Sequence, residues 1–286
     1  MYYPQDFDKQ KAIELGNLVK QAYDQYTAYK NEKPWTLKDG YELKGVITYV
    51  SKRRLRGFVA RADDTGPTLL DREMDAAERE HPALLKTRDG LFRTEEPVGF
   101  LAAKGNDAYL IFRGTQTPWE FLQDLKIKMK SYPYIKNWGK VALGFSEVYA
   151  ACRESFIKTL DGLGAGLNLY ISGHSLGSAL TTLALPDVIT ATHFKKPVLY
   201  NFASPRVGDN NFVTAYNALP GKKTFRIDNS SDLVTSIPLP VEIPIPLIPN
   251  GYYSHVDVPV DFNTQKESLG GNHDMDTYLD ALRKAP

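Results

Sequence analysis

Leu167-Asn168-Leu169-Tyr170-Ile171-Ser172-Gly173-His174-Ser175-Leu176-Gly177-Ser178-Ala179 is the stretch on which the architecture turns. Its first six residues read as a buried strand and 176–189 reads as a helix, so Gly173-His174-Ser175-Leu176-Gly177 is the junction between them. A serine in Gly-x-Ser-x-Gly at such a junction sits on a turn so tight that its backbone is strained and its neighbours must be small. Gly173 and Gly177 let strand and helix approach closely, while Ser172, Ser178 and Ala179 keep the surroundings small. The helix start behind Ser175 offers unpaired N–H groups and the positive end of a dipole, which suits an anion forming on an attacked carbonyl. Ser175 is therefore predicted to be a nucleophile.

Outward from the junction, strands are expected at 197–203 and 223–228 with a helix at 210–219 between them. This βαβαβ alternation predicts an α/β fold with a central, mostly parallel sheet and helices on both faces. Upstream, 98–103 and 107–112 read as two strands joined by a tight turn at Lys104-Gly105-Asn106-Asp107, and 143–160 reads as a helix. Apolar Leu15, Leu18, Ala22, Tyr26 and Tyr29 recur at helical steps, so 1–42 is expected to be an N-terminal covering helix and extension of a single domain spanning 1–286. Residues 43–50 suit a strand, the basic run Lys52-Arg53-Arg54-Leu55-Arg56 a solvated hairpin turn, and 71–86 a surface helix. Between 237 and 249 the chain is apolar but carries Pro238, Pro240, Pro244, Pro246 and Pro249, which fits an extended loop.

Composition narrows the classes. Hydrophobic residues at 42% and charged residues at 24% match an ordinary globular protein, and a formal net charge of +1 provides no global field to gather nucleic acid. With Cys152 alone, no intramolecular disulfide forms and no cysteine metal cluster is expected. No apolar run approaches the roughly 20 residues that span a bilayer, so no transmembrane segment is expected. The first residues lack the basic start and apolar stretch of a signal peptide, so no export signal is expected in this chain, and its location stays open.

A serine hydroxyl needs a histidine to take its proton and a carboxylate to hold that histidine, in the order Ser, Asp, His for this fold class. Downstream stand His193, His255 and His273. His193 closes the helix after the junction, too early for the base. His273 lies in the glycine-rich Gly270-Gly271-Asn272-His273-Asp274-Met275-Asp276, expected to be a loop opening the last helix; His255 lies in an expected strand, 253–260, where a packed structural histidine is the simpler reading. For the carboxylate, Asp232 in the loop after 223–228 competes with Asp228 at the strand end, where a turn cap would account for it.

From about Gly99 to Leu282 the chain resembles the class 3 (fungal-type) lipases, a family of α/β-hydrolases. Ile111-Phe112-Arg113-Gly114-Thr115 is similar to the family's strand-end Arg-Gly-Thr, which implies an oxyanion-hole role for Thr115 beside the backbone N–H of Leu176. Asn201-Phe202-Ala203-Ser204-Pro205-Arg206-Val207-Gly208-Asp209 resembles the segment after the next strand. Asp232-Leu233-Val234 with Pro238 resembles the acid loop, His273 with Tyr278 the C-terminal helix, and Tyr253-Ser254-His255-Val256 a non-catalytic strand motif. The resemblance thus selects Asp232 and His273. Val141-Ala142-Leu143-Gly144-Phe145 lacks the histidine many members carry at Ala142, and the missing disulfides make a bacterial member the expectation.

In family members the segment after the oxyanion strand is a lid. Here that is 116–125, where Trp119, Phe121, Leu122 and Leu125 would cover an acyl site; core packing of the same helix is the plainer alternative. Lysines 126, 128, 130, 136 and 140 form a basic stretch that suits either an anionic lipid interface or an ordinary solvated face. The resemblance implies a serine carboxylester hydrolase acting on triacylglycerol or another lipid ester, with no cofactor and no metal. Phospholipase, galactolipase, general esterase and acyltransferase activities are its near alternatives. An inactive lipid-binding protein is the alternative from another class.

Overall fold

Asp107–Phe112 shows how the sheet is built: Ala108, Leu110 and Phe112 face one apolar cluster, Tyr109 and Ile111 the other. A strand whose two faces are both apolar has to be covered on both sides. The computed structural model describes residues 1, 3–54, 85–86, 91–115, 127–238 and 252–285.

In chain order these residues form α1 (Lys9–Lys30), β1 (Glu42–Arg54), β2 (Leu85–Lys86), β3 (Leu91–Lys104), β4 (Asp107–Phe112), β5 (Met129–Ser131), β6 (Lys140–Ala142) and α2 (Leu143–Asp161). There follow β7 (Asn168–His174), α3 (Leu176–Ala191), β8 (Val198–Phe202), α4 (Asn210–Asn217), β9 (Lys223–Asn229), a 3-10 turn (Leu233–Ser236), β10 (Val258–Phe262), α5 (Leu269–His273) and α6 (Met275–Lys284). The main sheet runs β1-β3-β4-β7-β8-β9-β10, with β2 beside β3. β4, β7, β8, β9 and β10 are mutually parallel, whereas β1, β3 and β4 pair antiparallel. A separate hairpin joins β5 and β6.

One face of the sheet packs on α2, α3 and α4 through Phe145, Phe156, Leu180, Leu183 and Phe212. The other packs on α1 and α6 through Leu15, Leu18, Val19, Leu279 and Leu282. α1 starts at Asp8, whose carboxylate accepts from Lys11 N–H at 2.9 Å and so satisfies one of the helix's free donors. Inside the first face, Asn201 of β8 donates to Thr182 Oγ1 (3.0 Å) and Ser178 O (3.1 Å), pinning α3 to the sheet without leaving its buried amide unpaired.

Several expectations change. β1 continues through Arg54 in register with β3, so Lys52, Arg53 and Arg54 are strand residues rather than a hairpin turn: backbone pairing overrides local charge. Leu85 and Lys86 pair with β3 instead of ending a helix; the rest of 71–86 lies outside the described residues. The strand expected over 253–260 begins only at Val258, because Ser254 makes an isolated bridge to Gly208 and the chain joins β9 later. His273 stands at the end of a short helix, α5, capped by Ser268 Oγ accepting from Gly271 N–H at 3.0 Å, rather than in an open loop.

Candidate active site

β7 runs through Gly173 and His174 and turns at Ser175 straight into α3. Ser175 has φ 57° and ψ −125°, a conformation that costs an L-residue on the order of 1–3 kcal/mol and persists only where the surroundings enforce it. They do so by close approach. A Cβ on Gly177 would lie 2.6 Å from Arg113 O and 2.7 Å from Phe112 O, and one on Gly173 would strike the Gly177 backbone. Ser175 N–H donates to Phe202 O at 3.0 Å, tying the turn to the end of β8.

Leu176 opens α3, so its N–H is among those with no acceptor one turn back within the helix. Thr115 lies beyond the end of β4, half-buried, after Arg113 and Gly114. Buried Arg113 holds this exit: its Nε donates to Pro97 O (2.9 Å), its Nη1 to Gly114 O (2.8 Å), and its guanidinium lies 3.6 Å from the Tyr26 ring centre. Gly114 presses on the turn at Ser175, since a Cβ there would be 2.8 Å from Ser175 Cβ.

Asp232 and His273 meet. His273 Nδ1 and Asp232 Oδ2 are 2.7 Å apart, and both side chains are almost fully buried. Tyr278 Oη also donates to Asp232 Oδ2 at 2.7 Å, and Val234 N–H donates to Oδ1 at 2.9 Å. A carboxylate with both oxygens occupied is an acceptor fixed in direction. Burial, reinforced by Asp232, raises the Tyr278 phenol well above its ordinary range, so it remains a donor. In the neutral ring with Nδ1–H directed at the carboxylate, the lone pair is on Nε2, which is buried and makes no hydrogen bond among the described residues. Asn229 Nδ2 donates to Asn272 O (3.0 Å) and Asn272 Nδ2 to Ser231 O (3.0 Å), lashing α5 to the acid loop.

The rivals go elsewhere. Asp228 is ion-paired to Arg226. His255 lies off the strand, its Nε2 bonded to Thr235 O at 2.8 Å, and His193 sits past α3 with Nδ1 3.4 Å from Asp161. Trp119, Phe121, Leu122 and Leu125 of the lid segment, Lys126, and the proline-rich segment from 239 to 249 lie outside the described residues. Lys128, Lys130, Lys136 and Lys140 are exposed.

Residues 109–242 match the family described as Lipase (class 3). Over this stretch the chain is similar to the class 3 lipases. The curated relatives include a rice (Oryza sativa subsp. japonica) phospholipase A1-II 4, 28% identical over 63% of this chain and 51% of its own. Another is the chloroplastic galactolipase DONGLE of Arabidopsis thaliana, 30% identical over 46% of this chain and 34% of its own. The chain thus spans about half the length, or less, of these relatives. Among solved structures, the mono- and diacylglycerol lipase of Aspergillus oryzae superposes with a TM-score of 0.50 at 23% identity, covering 59% of this chain and 60% of that one. The fold is that of the α/β-hydrolases, as expected from the strand-to-helix junction.

The stretch matched to the class 3 lipases contains Thr115, Ser175, Leu176 and Asp232; His273 and Tyr278 come from beyond its end. Three residues to which the sequence reading assigned no role also converge here. Tyr23 of α1 contacts His174, with its Oη 2.8 Å from Nδ1, and Asn229 and Asn272 fix the acid loop. His174 stood inside the quoted motif, yet only the tertiary structure reveals what its ring meets.

Proposed function

We propose that this protein is a serine carboxylester hydrolase acting on lipid esters. The observation that carries the reading is the His273 Nδ1 to Asp232 Oδ2 bond of 2.7 Å, which leaves Nε2 without a partner among the described residues and, in the neutral ring, holding the lone pair, in a molecule whose Ser175 occupies a strained strand-to-helix turn. Ser175 Oγ attacks the ester carbonyl carbon while Nε2 of His273 takes the hydroxyl proton; Asp232 keeps the tautomer and stabilises the imidazolium. Charge builds on the carbonyl oxygen, and the N–H of Leu176 at the start of α3, with Thr115, receives it. His273 returns the proton to the leaving alcohol. Water, deprotonated by the same histidine, then releases the acid and restores Ser175.

The class 3 lipase match supports lipid esters as the substrate class. Polar lipids are the second reading, favoured by relatives named phospholipase A1 and galactolipase. The lid role of Trp119, Phe121 and Leu122 rests on sequence. Hydrolysis of p-nitrophenyl esters from short to long acyl chains, each below and above its solubility limit, with triacylglycerol, phosphatidylcholine and galactolipid vesicles in parallel, tests these statements. The expected outcome is turnover throughout the soluble series with a rise above the solubility limit. No hydrolysis of any ester would leave an inactive lipid-binding protein as the better account.

A further inference from the structure

The ring of His174, next to the proposed nucleophile, is buried against the proposed base: its centre lies 4.6 Å from that of His273. Its Nε2 is 2.7 Å from the His273 backbone carbonyl, which can only accept, so Nε2 carries a proton. Burial first, and the neighbouring His273 second, hold the His174 imidazolium well below its ordinary range, so the ring is neutral and Nδ1 is an acceptor. Facing Nδ1 at 2.8 Å is Tyr23 Oη, which must donate its one proton there; its remaining lone pair accepts from Gly114 N–H at 3.0 Å. Only one arrangement of protons satisfies the set: Gly114 N–H to Tyr23 O–H to His174 Nε2–H to the carbonyl of His273.

We propose that Tyr23 and His174 are positioning residues that hold the oxyanion strand end and the base in one frame. The inference rests on the hydrolase reading above and deepens it. One end of the chain of bonds fixes Gly114, adjacent to Thr115 and pressed against Ser175. The other fixes the backbone of the residue whose Nε2 must meet the Ser175 hydroxyl. The bridge itself comes from α1, outside the class 3 lipase match at 109–242. Because His174 is neutral, it places no like charge beside the imidazolium that forms on His273 during turnover. Loosening the frame misplaces oxyanion donor and base relative to each other, an error paid in the chemical step more than in substrate binding.

The test compares wild type with Tyr23→Phe, His174→Leu, His174→Gln and the Tyr23→Phe/His174→Leu double variant on p-nitrophenyl butyrate, with competent Ser175 counted by fluorophosphonate titration. Expected is a fall in kcat per titrated site of about 10- to 100-fold in Tyr23→Phe and His174→Leu with KM changed less than about threefold. The double variant should be no worse than the poorer single, and His174→Gln, which keeps a donor for the His273 carbonyl, should recover part of the loss. A fold defect alone would lower the titrated fraction and leave kcat per site unchanged, and that result overturns the proposal, as does multiplication of the two single losses. Nitrogen NMR of the wild-type protein provides a readout that no variant's folding can spoil: His174 should remain the neutral Nε2–H tautomer from pH 5 to pH 9, on the order of two units to either side of neutrality. An Nδ1–H tautomer, or titration within that interval, overturns the chain of bonds. Wild type that neither turns over ester nor takes the label overturns the hydrolase reading and the positioning role together, whereas an active, labelled wild type with unimpaired variants overturns only the positioning role.

Discussion

Asp228 and Asp232 flank one short loop, and their partners differ. Asp232 accepts from His273 and Tyr278, while Asp228 is committed to Arg226. Sequence position favoured Asp232 but did not show this, because Arg226 and Tyr278 reach the two carboxylates through the fold. His255 is likewise decided by its surroundings: burial first and the charge of Arg226 second push its imidazolium down to about 3. A histidine whose pKa is lower folded than unfolded contributes stability that is present above the unfolded value of about 6.5 and lost as pH falls toward the folded one. Asp228 has the opposite sign. Burial raises its carboxyl to about 6 against the pull of Arg226, so its contribution is present below the unfolded carboxylate value and lost as pH rises through 6. His255→Gln should therefore lose less stability than wild type between pH 7 and pH 4.5, by roughly 1–2 kcal/mol after allowance for the ring's partial exposure. Urea unfolding at the two pH values measures the difference, and parallel losses in the two proteins contradict the assignment.

Elements were legible where local pattern and tertiary demand agreed. The three-and-four spacing of Leu15, Leu18 and Ala22 became the buried face of α1, and the Gly-His-Ser-Leu-Gly junction became the turn from β7 to α3. They were misread where pairing decided the outcome, as in the Arg-rich end of β1 carried into strand by β3, and in β10 delayed until Val258 by the bridge from Ser254 to Gly208. What α1 touches was not legible at all, since periodicity gives a face but no partner. Its apolar face carries the energy: Leu18 is 1% exposed in the cluster shared with α6, whereas the Lys20 to Asp276 ion pair, at 2.5 Å, is exposed on both sides. Leu18→Ala should cost about 2–4 kcal/mol and Lys20→Ala under about 0.5 kcal/mol in denaturant midpoint analysis. Equal effects would mean that α1 is held by surface charge instead of burial.

At the scale of the molecule, two apolar clusters cover the two faces of a mainly parallel sheet, and the proposed chemistry gathers at the carboxyl ends of β4, β7 and β9. That is where open α/β sheets place their ligands. Among the described residues no helix is long and apolar enough to cross a membrane. Chain order led the sequence to propose Ser175, Asp232 and His273 together; the structure pairs Asp232 with His273 through α5 and the loop after β9, which lie far from Ser175 in sequence. Mass spectrometry after fluorophosphonate treatment tests the whole account most directly. One label is predicted, on the peptide carrying Ser175, with ester turnover falling in step with labelling and lost by several orders of magnitude in Ser175→Ala. A label elsewhere, or undiminished turnover by Ser175→Ala, would contradict it.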